Sequence, residues 1–497
     1  MATAVGAEMT VVRDPATGDE VGRVPRLGEA EAAAAVARAR AAFPGWWETP
    51  AAKRGELLHA AAEAVLAARD DLALQLTLEQ GKPLRESRIE LTRCVHTLEH
   101  YAGLAKNLRG AYVPNLDVET HGLVVKRPLG VVAAIVPWNF PTTLLANKLG
   151  PALVCGNTVV GKPAETTPLT TLRIAELMRE AGLPEGVFQV VTGRGPVLGE
   201  ALVTHPDVAK VAFTGSTPVG KRVAELAARG VKRVTLELGG SDPMIVLDDA
   251  DVDAAASAAS VGRFFNCGQA CLAVKRLYVH ERVADELVEK LLAKVRRLRV
   301  GRGTSEGTML GPLHSEAQRE TIERQLAETL ERGGELLAGG GRPAGEEYAA
   351  GWFHEPTVVL EPAHDSPLAT EEVFGPVLPI WRVGGIDEAI ERANASPFGL
   401  GSSIWTRGLD AATLAAERLN AGYTWINSPQ IVYDELPFGG VGESGVGKEH
   451  GPEALDYYQE AKAVVVRRSP AAKRPPRASG SAERAPGELA GPPGGRS

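Results

Sequence analysis

The sequence predicts an α/β protein with a parallel-sheet domain, a second α/β domain and a small β ribbon. Short β-branched segments alternate with helix-length segments from about residue 130 to 238, a pattern typical of βαβ crossovers. A second alternation of the same kind begins at Pro243. A chain of 497 residues with 55 glycines suits about three structural units joined by many tight turns.

The N-terminal part of the chain is predicted to be a helical scaffold that carries no site residues. From Glu29 to Leu104 the apolar residues recur at helical spacing, as in the segment LLHAAAEAVLAARDDLALQLTLEQ. After Tyr112 the pattern changes to β-branched runs at 123–128 and 130–137, each of which ends at a proline. We therefore expect several amphipathic helices followed by two strands.

The first α/β domain is predicted from strands and helices that alternate at short intervals. Helices of this length between strands imply right-handed crossovers and a parallel sheet covered on both faces. This is the architecture of a Rossmann-like nucleotide-binding domain. The predicted strands are 157–161, 187–192, 208–213 and 232–238, and the predicted helices are 170–181, 196–203 and 218–229.

The second α/β domain is predicted by a similar alternation, which is followed by a last strand at 460–467. That strand is a candidate for pairing with the sheet edge of another chain. The tail from Ser469 has six prolines and no aromatic or β-branched residue, so we expect it to be disordered. The predicted helices of the second domain are 252–265 and 283–298, and its strands contain PMIVLDD, RLYVH, TVVLEP, VLPIWRV and GSSIWT.

Composition and charge argue against several classes of protein. The formal net charge of -8 gives no electrostatic reason to expect nucleic acid or an anionic membrane as a partner. The apolar stretch Gly130–Val136 is cut by Pro137, far short of the roughly 20 residues of a membrane helix. Four cysteines and an N-terminus without an apolar signal core fit a reducing compartment. We expect a cytoplasmic protein that acts on a small molecule.

Three motifs resemble sites of other chemistry. The segment GSTPVGKR is close to a P-loop, but Arg222 stands where Ser or Thr must reach magnesium. The segment HTLEH matches a zinc-peptidase pattern, yet it lies in the predicted scaffold helices. Cys267 and Cys271 lack two further ligands for zinc. We therefore expect neither an ATPase nor a metal site.

Three other segments carry candidate chemistry. FFNCGQAC ends at Cys271 near the junction of the two α/β domains, where local dipoles can lower the pKa of a thiol. LELGG places Glu237 at the end of a strand, and PWNFP holds Asn139 between two prolines as a rigid donor for an oxyanion. Each has a plain alternative, namely a small core cysteine, a solvated carboxylate and an ordinary turn.

Taken together, these segments resemble the aldehyde dehydrogenase superfamily. The further motifs GKPAETTP, FTGSTPVG, EEVFGPV and PFGG follow in the family's order and at close to its spacing. The resemblance extends from Asp14 to the region of Val466. It implies an enzyme of the hydrolytic, NAD(P)-dependent type that oxidises a small-molecule aldehyde to a carboxylic acid.

The resemblance also implies a role for each site residue. Cys271 would form a thiohemiacetal and then a thioester, Glu237 would activate the hydrolytic water, and Asn139 with the Cys271 N–H would hold the oxyanion. The resemblance implies both a catalytic and a cofactor-binding role for Lys162. The implied cofactor-binding residues are Lys162 and Glu165 at the adenine ribose, Trp138 and Ser216 at the pyrophosphate, Glu372 and Phe374 at the nicotinamide ribose and ring, together with Gly215, Gly220, Glu237, Leu238 and Gly239.

Glu165 predicts that NAD is preferred, with NADP as a weaker alternative. A carboxylate beside the adenine ribose accepts hydrogen bonds from its hydroxyl groups and repels a 2′-phosphate. Lys162 would offset part of that repulsion. In the alternative interpretation, Glu165 points into solvent and merely begins the next helix.

Assembly and domain limits follow from the same resemblance. Such enzymes pair their subunits through two strand segments, here 118–128 and 460–467, which implies a homodimer or homotetramer. The implied units are an NAD-binding domain (1–117 and 129–238), a catalytic domain (239–436), an oligomerisation and C-terminal segment (118–128 and 437–468) and a disordered tail (469–497).

Three other functions could use some of the same residues. A coenzyme-A-acylating semialdehyde dehydrogenase has no need of a water-activating base such as Glu237. A cysteine hydrolase or thioesterase without a cofactor leaves the cofactor motifs unexplained, and a catalytically silent relative leaves the nucleophile, base and oxyanion donor unexplained. Relatives that act on succinic semialdehyde carry an arginine where this chain has Asn147, so we expect a different aldehyde.

Overall fold

The computed structural model describes residues 8–467 of the chain. Within this range the chain forms two compact units. The larger unit comprises the chain up to Leu108 and Arg127–Glu460, and the smaller unit comprises Arg109–Lys126 and the chain from Ala461 onward. The two α/β sheets and their helices belong to the larger unit.

The chain begins with an antiparallel hairpin, which the sequence did not predict, and continues with four helices, as the helical spacing between Glu29 and Leu104 predicted. Gly81 ends the third helix in the left-handed region at φ 103°, which favours glycine. These elements are β1 (Met9–Arg13), β2 (Glu20–Pro25), α1 (Glu29–Glu48), α2 (Ala51–Ala67), α3 (Arg69–Gln80) and α4 (Leu84–Leu104).

Two antiparallel strands of the smaller unit follow, β3 (Ala111–Val113) and β4 (Thr120–Pro128). They pair through Ala111 and Val124, Tyr112 and Leu123, and Val113 and Gly122. The predicted ribbon segment 118–128 therefore begins too late, because its partner strand β3 lies before it in the chain. Three exposed residues of β3 carry little local signal for a strand.

The first sheet has parallel strands separated by helices, as predicted. All five residues of its strand β5 are buried, and alternate ones face different cores: Val132 and Ala134 pack with α2, α4 and α5, whereas Val131, Ala133 and Ile135 pack with α1, α7 and α8. The elements are β5 (Val131–Ile135), α5 (Pro141–Val154), β6 (Thr158–Lys162), α6 (Leu169–Glu180), β7 (Phe188–Val190), α7 (Glu200–Thr204), β8 (Val208–Thr214), α8 (Thr217–Ala228) and β9 (Arg233–Glu237).

The second sheet has seven strands in the order β12-β13-β14-β11-β10-β16-β17, and β12 alone among these is antiparallel to its neighbour. The elements are β10 (Asp242–Val246), α9 (Val252–Phe264), β11 (Val274–His280), α10 (Glu281–Val295), α11 (Glu316–Glu331), β12 (Glu335–Ala338), β13 (Thr357–Leu360), α12 (Pro367–Thr370), β14 (Val377–Val383), α13 (Ile386–Asn394), β15 (Phe398–Gly399), β16 (Gly401–Trp405), α14 (Leu409–Arg418) and β17 (Tyr423–Ile426).

The C-terminal segment differs from the predicted boundary at residue 437. Strand β18 (Val441–Gly442) pairs with β15, and β19 (Gly445–Val446) pairs antiparallel with β9. The first sheet thus has six strands in the order β19-β9-β8-β5-β6-β7. Residues 437–460 belong to the larger unit because β19 satisfies the backbone groups at the open edge of β9.

The last strand, β20 (Gln459–Arg467), confirms the predicted strand at 460–467 and lies at the edge of a three-stranded sheet in the order β20-β4-β3. The predicted disordered tail, 469–497, lies outside the described residues. Among residues 8–467, no helix has both the length and the apolar character needed to cross a membrane.

Candidate active site

The loop that carries Cys271 connects α9 to β11 and has an unusual backbone. After Phe264 it makes a short turn in which Asn266, Cys267 and Gly268 all have positive φ, between 51° and 72°. The buried Arg263 donates from Nη2 to the backbone oxygens of Gly268, Val373 and Gly375. A buried guanidinium with several carbonyl partners fixes this turn against the EEVFGPV segment.

The Cys271 side chain is half-buried, whereas the other three cysteines are fully buried and all four are free thiols. Burial raises the pKa of Cys271 to about 12, the nearby Lys275 ammonium opposes this, and the carboxylates of Asp242, Glu372 and Glu237 add to it. The expectation that local dipoles lower this pKa is therefore wrong for the resting site. Desolvation and three carboxylates outweigh one cation.

Glu237 ends β9 and is buried, so its interpretation as a solvated carboxylate is wrong. Burial holds its pKa well above the usual range, the Glu449 carboxylate adds to this effect, and Lys148 and Lys448 oppose it. Neither carboxyl oxygen of Glu237 has a hydrogen-bond partner within residues 8–467. Burial of this kind favours the uncharged form of a carboxyl group and makes its deprotonated form a stronger base.

A buried cluster on α5 lies near Glu237. Lys148 donates from Nζ to Thr214 Oγ1 at 2.6 Å and to Glu449 Oε1. Asn147 donates from Nδ2 to the other oxygen of Glu449 at 3.0 Å. Both Asn147 and Lys148 are buried, and they interrupt an otherwise apolar helix. A charge within an apolar helical run was the sequence signal for this cluster.

Asn139 is buried and held on both its backbone and its side chain. Its backbone oxygen accepts hydrogen bonds from Lys82 Nζ and from Asn266 Nδ2, the latter at 3.0 Å. Its own Nδ2 donates to the backbone oxygen of Gln269 at 3.1 Å. The amide therefore reaches the segment two residues before Cys271, with a second N–H available for a ligand.

Charged residues of α4 support both of these loops. Glu90 accepts hydrogen bonds from the backbone N–H of Thr142 at 2.9 Å and from Lys82 Nζ at 2.6 Å. Glu86 accepts one from the backbone N–H of Asn266 at 2.8 Å, and burial raises the pKa of Glu86 to about 7. The prediction that the N-terminal helices are scaffold alone is wrong, since α4 contacts the Asn139 loop and the Cys271 loop directly.

Lys162 ends β6, and Glu165 lies in the loop that follows it. Lys162 is buried and donates from Nζ to the Pro163 oxygen at 3.2 Å, and burial lowers its pKa against the opposing effect of Glu165. Glu165 accepts a hydrogen bond from the Gly195 N–H at 3.0 Å and is half-buried. Since α6 begins at Leu169, the interpretation of Glu165 as a solvated first residue of that helix is wrong.

Two glycines allow close approaches around this region. A Cβ added to Gly220, in the first turn of α8, would lie 2.2 Å from Leu238 Cδ2. A Cβ added to Gly239 would lie 2.3 Å from Glu372 Oε2. Gly215 and Ser216 precede α8, and Ser216 is exposed at the helix N-terminus, where an anion is favoured.

Trp138 lies between two aromatic rings. Its indole stacks on the His314 ring with a centroid distance of 4.4 Å and packs edge-on against Phe374 at 5.7 Å. His314 Nε2 lies 2.6 Å from Thr166 Oγ1, next to Glu165 in the chain. Burial lowers the pKa of His314 to about 4, so it is neutral. His314 therefore links the segment that carries Glu165 and Thr166 to Trp138.

Comparisons with known proteins identify the family. The family model described as the aldehyde dehydrogenase family matches residues 3–464. The chain belongs to the aldehyde dehydrogenase family. It is an oxidoreductase that converts aldehydes to carboxylic acids, and the predicted fold class and family are confirmed.

Relatives of this aldehyde dehydrogenase differ in the substrates that their names state. A 3-sulfolactaldehyde dehydrogenase of Pseudomonas putida is 41% identical over 464 residues, covering 93% of this chain and 95% of the relative. A phenylacetaldehyde dehydrogenase of Pseudomonas fluorescens is 42% identical and covers 92% of both. PnpE of Pseudomonas sp. WBC-3, in complex with nicotinamide adenine dinucleotide, matches with a TM-score of 0.91 at 41% identity, covering 93% and 95%.

The predicted site residues of this aldehyde dehydrogenase fall into two groups. Cys271, Glu237, Asn139, Gly239 and Glu372 lie around the Cys271 loop, since Asn139 reaches Gln269 and Gly239 lies against Glu372. The second group, which is predicted to bind the cofactor, lies at or after the ends of β5, β6, β8 and β9 and in the EEVFGPV segment before β14. Among residues 8–467, no cluster of three or more His, Cys, Asp or Glu is arranged to hold a metal ion. The members of the second group are Trp138, Lys162, Glu165, Gly215, Ser216, Gly220, Leu238 and Phe374.

Proposed function

We propose that this aldehyde dehydrogenase uses NAD, with Cys271 as nucleophile and Glu237 as general base, and releases its product by hydrolysis. One observation carries the proposal. The half-buried thiol of Cys271 lies close enough to the buried Glu237 for their charges to interact, and both oxygens of that carboxyl group lack a partner within residues 8–467. A buried base without a structural partner is available for a water molecule.

The residues of the first domain fit a dinucleotide. Gly220 and Gly239 let the side chains of Leu238 and Glu372 pack directly against the backbone, and the α8 N-terminus with the exposed Ser216 suits a pyrophosphate. Lys162 and Glu165 would contact the adenine ribose, and Glu372 with Phe374 would contact the nicotinamide end. Bound NAD would supply the acceptor for the two electrons of the oxidation. We propose that 1–117 with 129–238 binds NAD and that 239–436 carries the nucleophile.

The protein side of the reaction follows from the environments of the three groups. The Cys271 thiol would lose its proton to a water molecule, and the resulting thiolate, which is the nucleophilic form, would add to the aldehyde carbon. The Asn139 amide and the Cys271 N–H would stabilise the oxyanion of the thiohemiacetal. After oxidation to the thioester, Glu237 would accept a proton from water, and the resulting hydroxide would release the carboxylic acid and the free thiol.

The substrate proposed here is a neutral aliphatic or aromatic aldehyde rather than succinic semialdehyde. Asn147 carries no charge, and its amide is already bonded to Glu449 in the buried cluster. The rings of Phe140 and Phe265 stack at 6.1 Å beside the Asn139 and Cys271 loops, which favours an apolar substrate group. A higher kcat/KM for succinic semialdehyde than for every neutral aldehyde in a panel would contradict this proposal.

We further propose a cytoplasmic homodimer or homotetramer. Four free cysteines suit a reducing compartment. Strand β20 lies at a sheet edge and exposes Val465 and Val466, and β3 exposes Tyr112 and Val113. Apolar side chains on an edge strand favour pairing with a second copy of the chain.

The decisive experiment follows NADH formation by its absorbance when purified protein is mixed with NAD and a panel of aldehydes. Aldehyde-dependent NADH formation together with release of a free carboxylic acid supports the proposal. A reaction that requires coenzyme A and yields an acyl thioester identifies the acylating alternative. Hydrolysis of a thioester without any NADH formation identifies the cofactor-independent hydrolase.

A further inference from the structure

Lys275 is a buried cation to which none of the roles above has been given. It lies on β11, four residues after Cys271, and its side chain is fully buried. Its ammonium donates to the backbone oxygens of Gly240 at 2.7 Å and Cys271 at 2.9 Å, and to Glu372 Oε1 at 2.7 Å. All three donor positions of the ammonium are therefore used.

The carboxylate that receives this ammonium is itself held in place. Glu372 Oε1 also accepts a hydrogen bond from the Gly240 N–H at 3.0 Å. The other oxygen lies against the α-carbon of Gly239, where a Cβ would be 2.3 Å away. The Lys275 ammonium also lies 5.6 Å from the centroid of the Phe374 ring. Lys275 thus joins the backbone of Cys271 to the carboxylate and the ring that are proposed to meet the nicotinamide end of the cofactor.

Lys275 also affects the ionisation of the Cys271 thiol. Burial and the carboxylates of Asp242, Glu372 and Glu237 all raise the pKa of the Cys271 thiol, and Lys275 opposes them. Asp242 lies on β10, where it accepts a hydrogen bond from the Gly401 N–H at 3.1 Å. In a buried site one nearby cation has a large effect on the ionisation of a thiol, because solvent screening is weak.

We propose that Lys275 is a positioning residue that holds Glu372 against the Cys271 loop and supplies the positive charge that favours the Cys271 thiolate. The proposal rests on the proposed role of Cys271 as nucleophile. It goes beyond that role, because it assigns the activation of the thiol to a cation four residues further along the chain.

The test is the rate of Cys271 alkylation by iodoacetamide at one fixed pH near neutrality in the protein without NAD, followed by mass spectrometry of the Cys271 peptide. Lys275→Met is expected to lower this rate by about threefold or more, because the opposing cation is lost and the thiolate fraction falls. Lys275→Arg keeps the charge and should retain most of the wild-type alkylation rate. Lys290→Met removes an exposed ammonium that pairs with Glu286 and serves as the matched control.

A second variant, Glu372→Gln, tests a change of the opposite sign in the ionisation of the Cys271 thiol. Its result is informative even if Lys275→Met does not fold. Glu372→Gln removes a negative charge that faces the thiol, so its Cys271 should be alkylated faster than that of the wild type at the same pH. An unchanged alkylation rate in a folded Lys275→Met protein overturns the proposal, and so does an unchanged or lower rate in Glu372→Gln. Alkylation requires neither cofactor nor turnover, so an enzyme that fails to oxidise aldehydes is recognised separately, by the absence of NADH formation.

Discussion

Burial changes the acid–base character of the groups proposed to carry the chemistry. Glu237 has a raised pKa because it is desolvated and lies near Glu449, and Cys271 has a raised pKa mainly because it is desolvated. Burial therefore favours the uncharged form of both groups, and the Cys271 thiol is protonated at neutral pH. Formation of the thiolate then requires that a proton be moved within the site, which makes the surrounding charges part of the chemistry.

Cys271→Ala should reduce aldehyde-dependent NADH formation to less than about 1% of the wild-type rate, because no other nucleophile is proposed. Binding of NAD should persist and can be measured by titration of the intrinsic fluorescence. Cys94→Ala is the control. Because Cys94 is buried within the helical core, this variant should keep the wild-type turnover per folded molecule. Turnover of several per cent in Cys271→Ala would show that another group attacks the aldehyde.

Glu237→Gln should slow thioester hydrolysis by about 100-fold or more while slowing the oxidation step much less, because the amide cannot accept a proton from water. Stopped-flow measurements should then show a rapid burst of NADH followed by slow turnover. Glu225→Gln on the exposed face of α8 is the matched control. Equal slowing of both phases would argue against a base that acts on water.

Glu165→Ser should narrow the preference for NAD over NADP by about tenfold, which corresponds to roughly 1.4 kcal/mol, because the repulsion of a 2′-phosphate is lost. The comparison requires kcat/KM for both cofactors in the wild type and in the variant. Glu165→Gln keeps an acceptor for the Gly195 N–H and separates loss of charge from disturbance of the loop. A wild type that prefers NADP, or an unchanged ratio of kcat/KM for the two cofactors, would show that Glu165 does not discriminate between the riboses of NAD and NADP.

At the scale of elements, helix α4 supports the site from behind. Its Glu86 contacts the Cys271 loop through Asn266, and its Glu90 contacts the start of α5, just after Asn139, through Thr142. One helix therefore contacts both the loop of the proposed nucleophile and the segment next to the proposed oxyanion donor. Buried acceptors of this kind rigidify loops that have no regular backbone pairing of their own.

Glu90→Ala should lower the free energy of unfolding by about 3 kcal/mol, because the Lys82 ammonium and the Thr142 N–H would lose a buried partner. Urea denaturation followed by circular dichroism measures this change. The folded fraction should also show reduced kcat, since Lys82 supports the backbone of Asn139. Glu99→Ala, on the same helix but half-exposed, should change stability by less than about 1 kcal/mol. Equal effects of the two variants would contradict the role of Glu90.

At the scale of the whole molecule, strand β20 is the proposed element of assembly. Val465→Glu should weaken assembly by at least about tenfold, because it places a buried charge at the proposed interface. Sedimentation velocity over a range of protein concentrations measures the shift toward smaller species. Val261→Glu, at another exposed valine, is the control. An unchanged sedimentation profile of Val465→Glu would place the interface elsewhere.

Local patterns predicted most of the regular elements. Strand β8 and helix α9 lie within a residue of their predicted limits, because apolar periodicity and flanking glycine or proline are local properties. The two residues of β19 were missed, since so short a strand has no periodicity and depends on the open edge of β9. The six-stranded order of the first sheet therefore required the tertiary structure.

By itself the sequence determined the α/β class, the family and the identity of Cys271, Glu237 and Asn139 as the candidate catalytic groups, because each lies in a motif of fixed spacing. Only the tertiary structure showed that Glu90 and Lys275 belong to the site. From the sequence alone, a charged residue on a helix or a strand is interpreted as solvent-exposed until its burial is known. The rise in the pKa of Cys271 also depends on the tertiary structure, because desolvation is set by everything packed around the thiol and not by its neighbours along the chain.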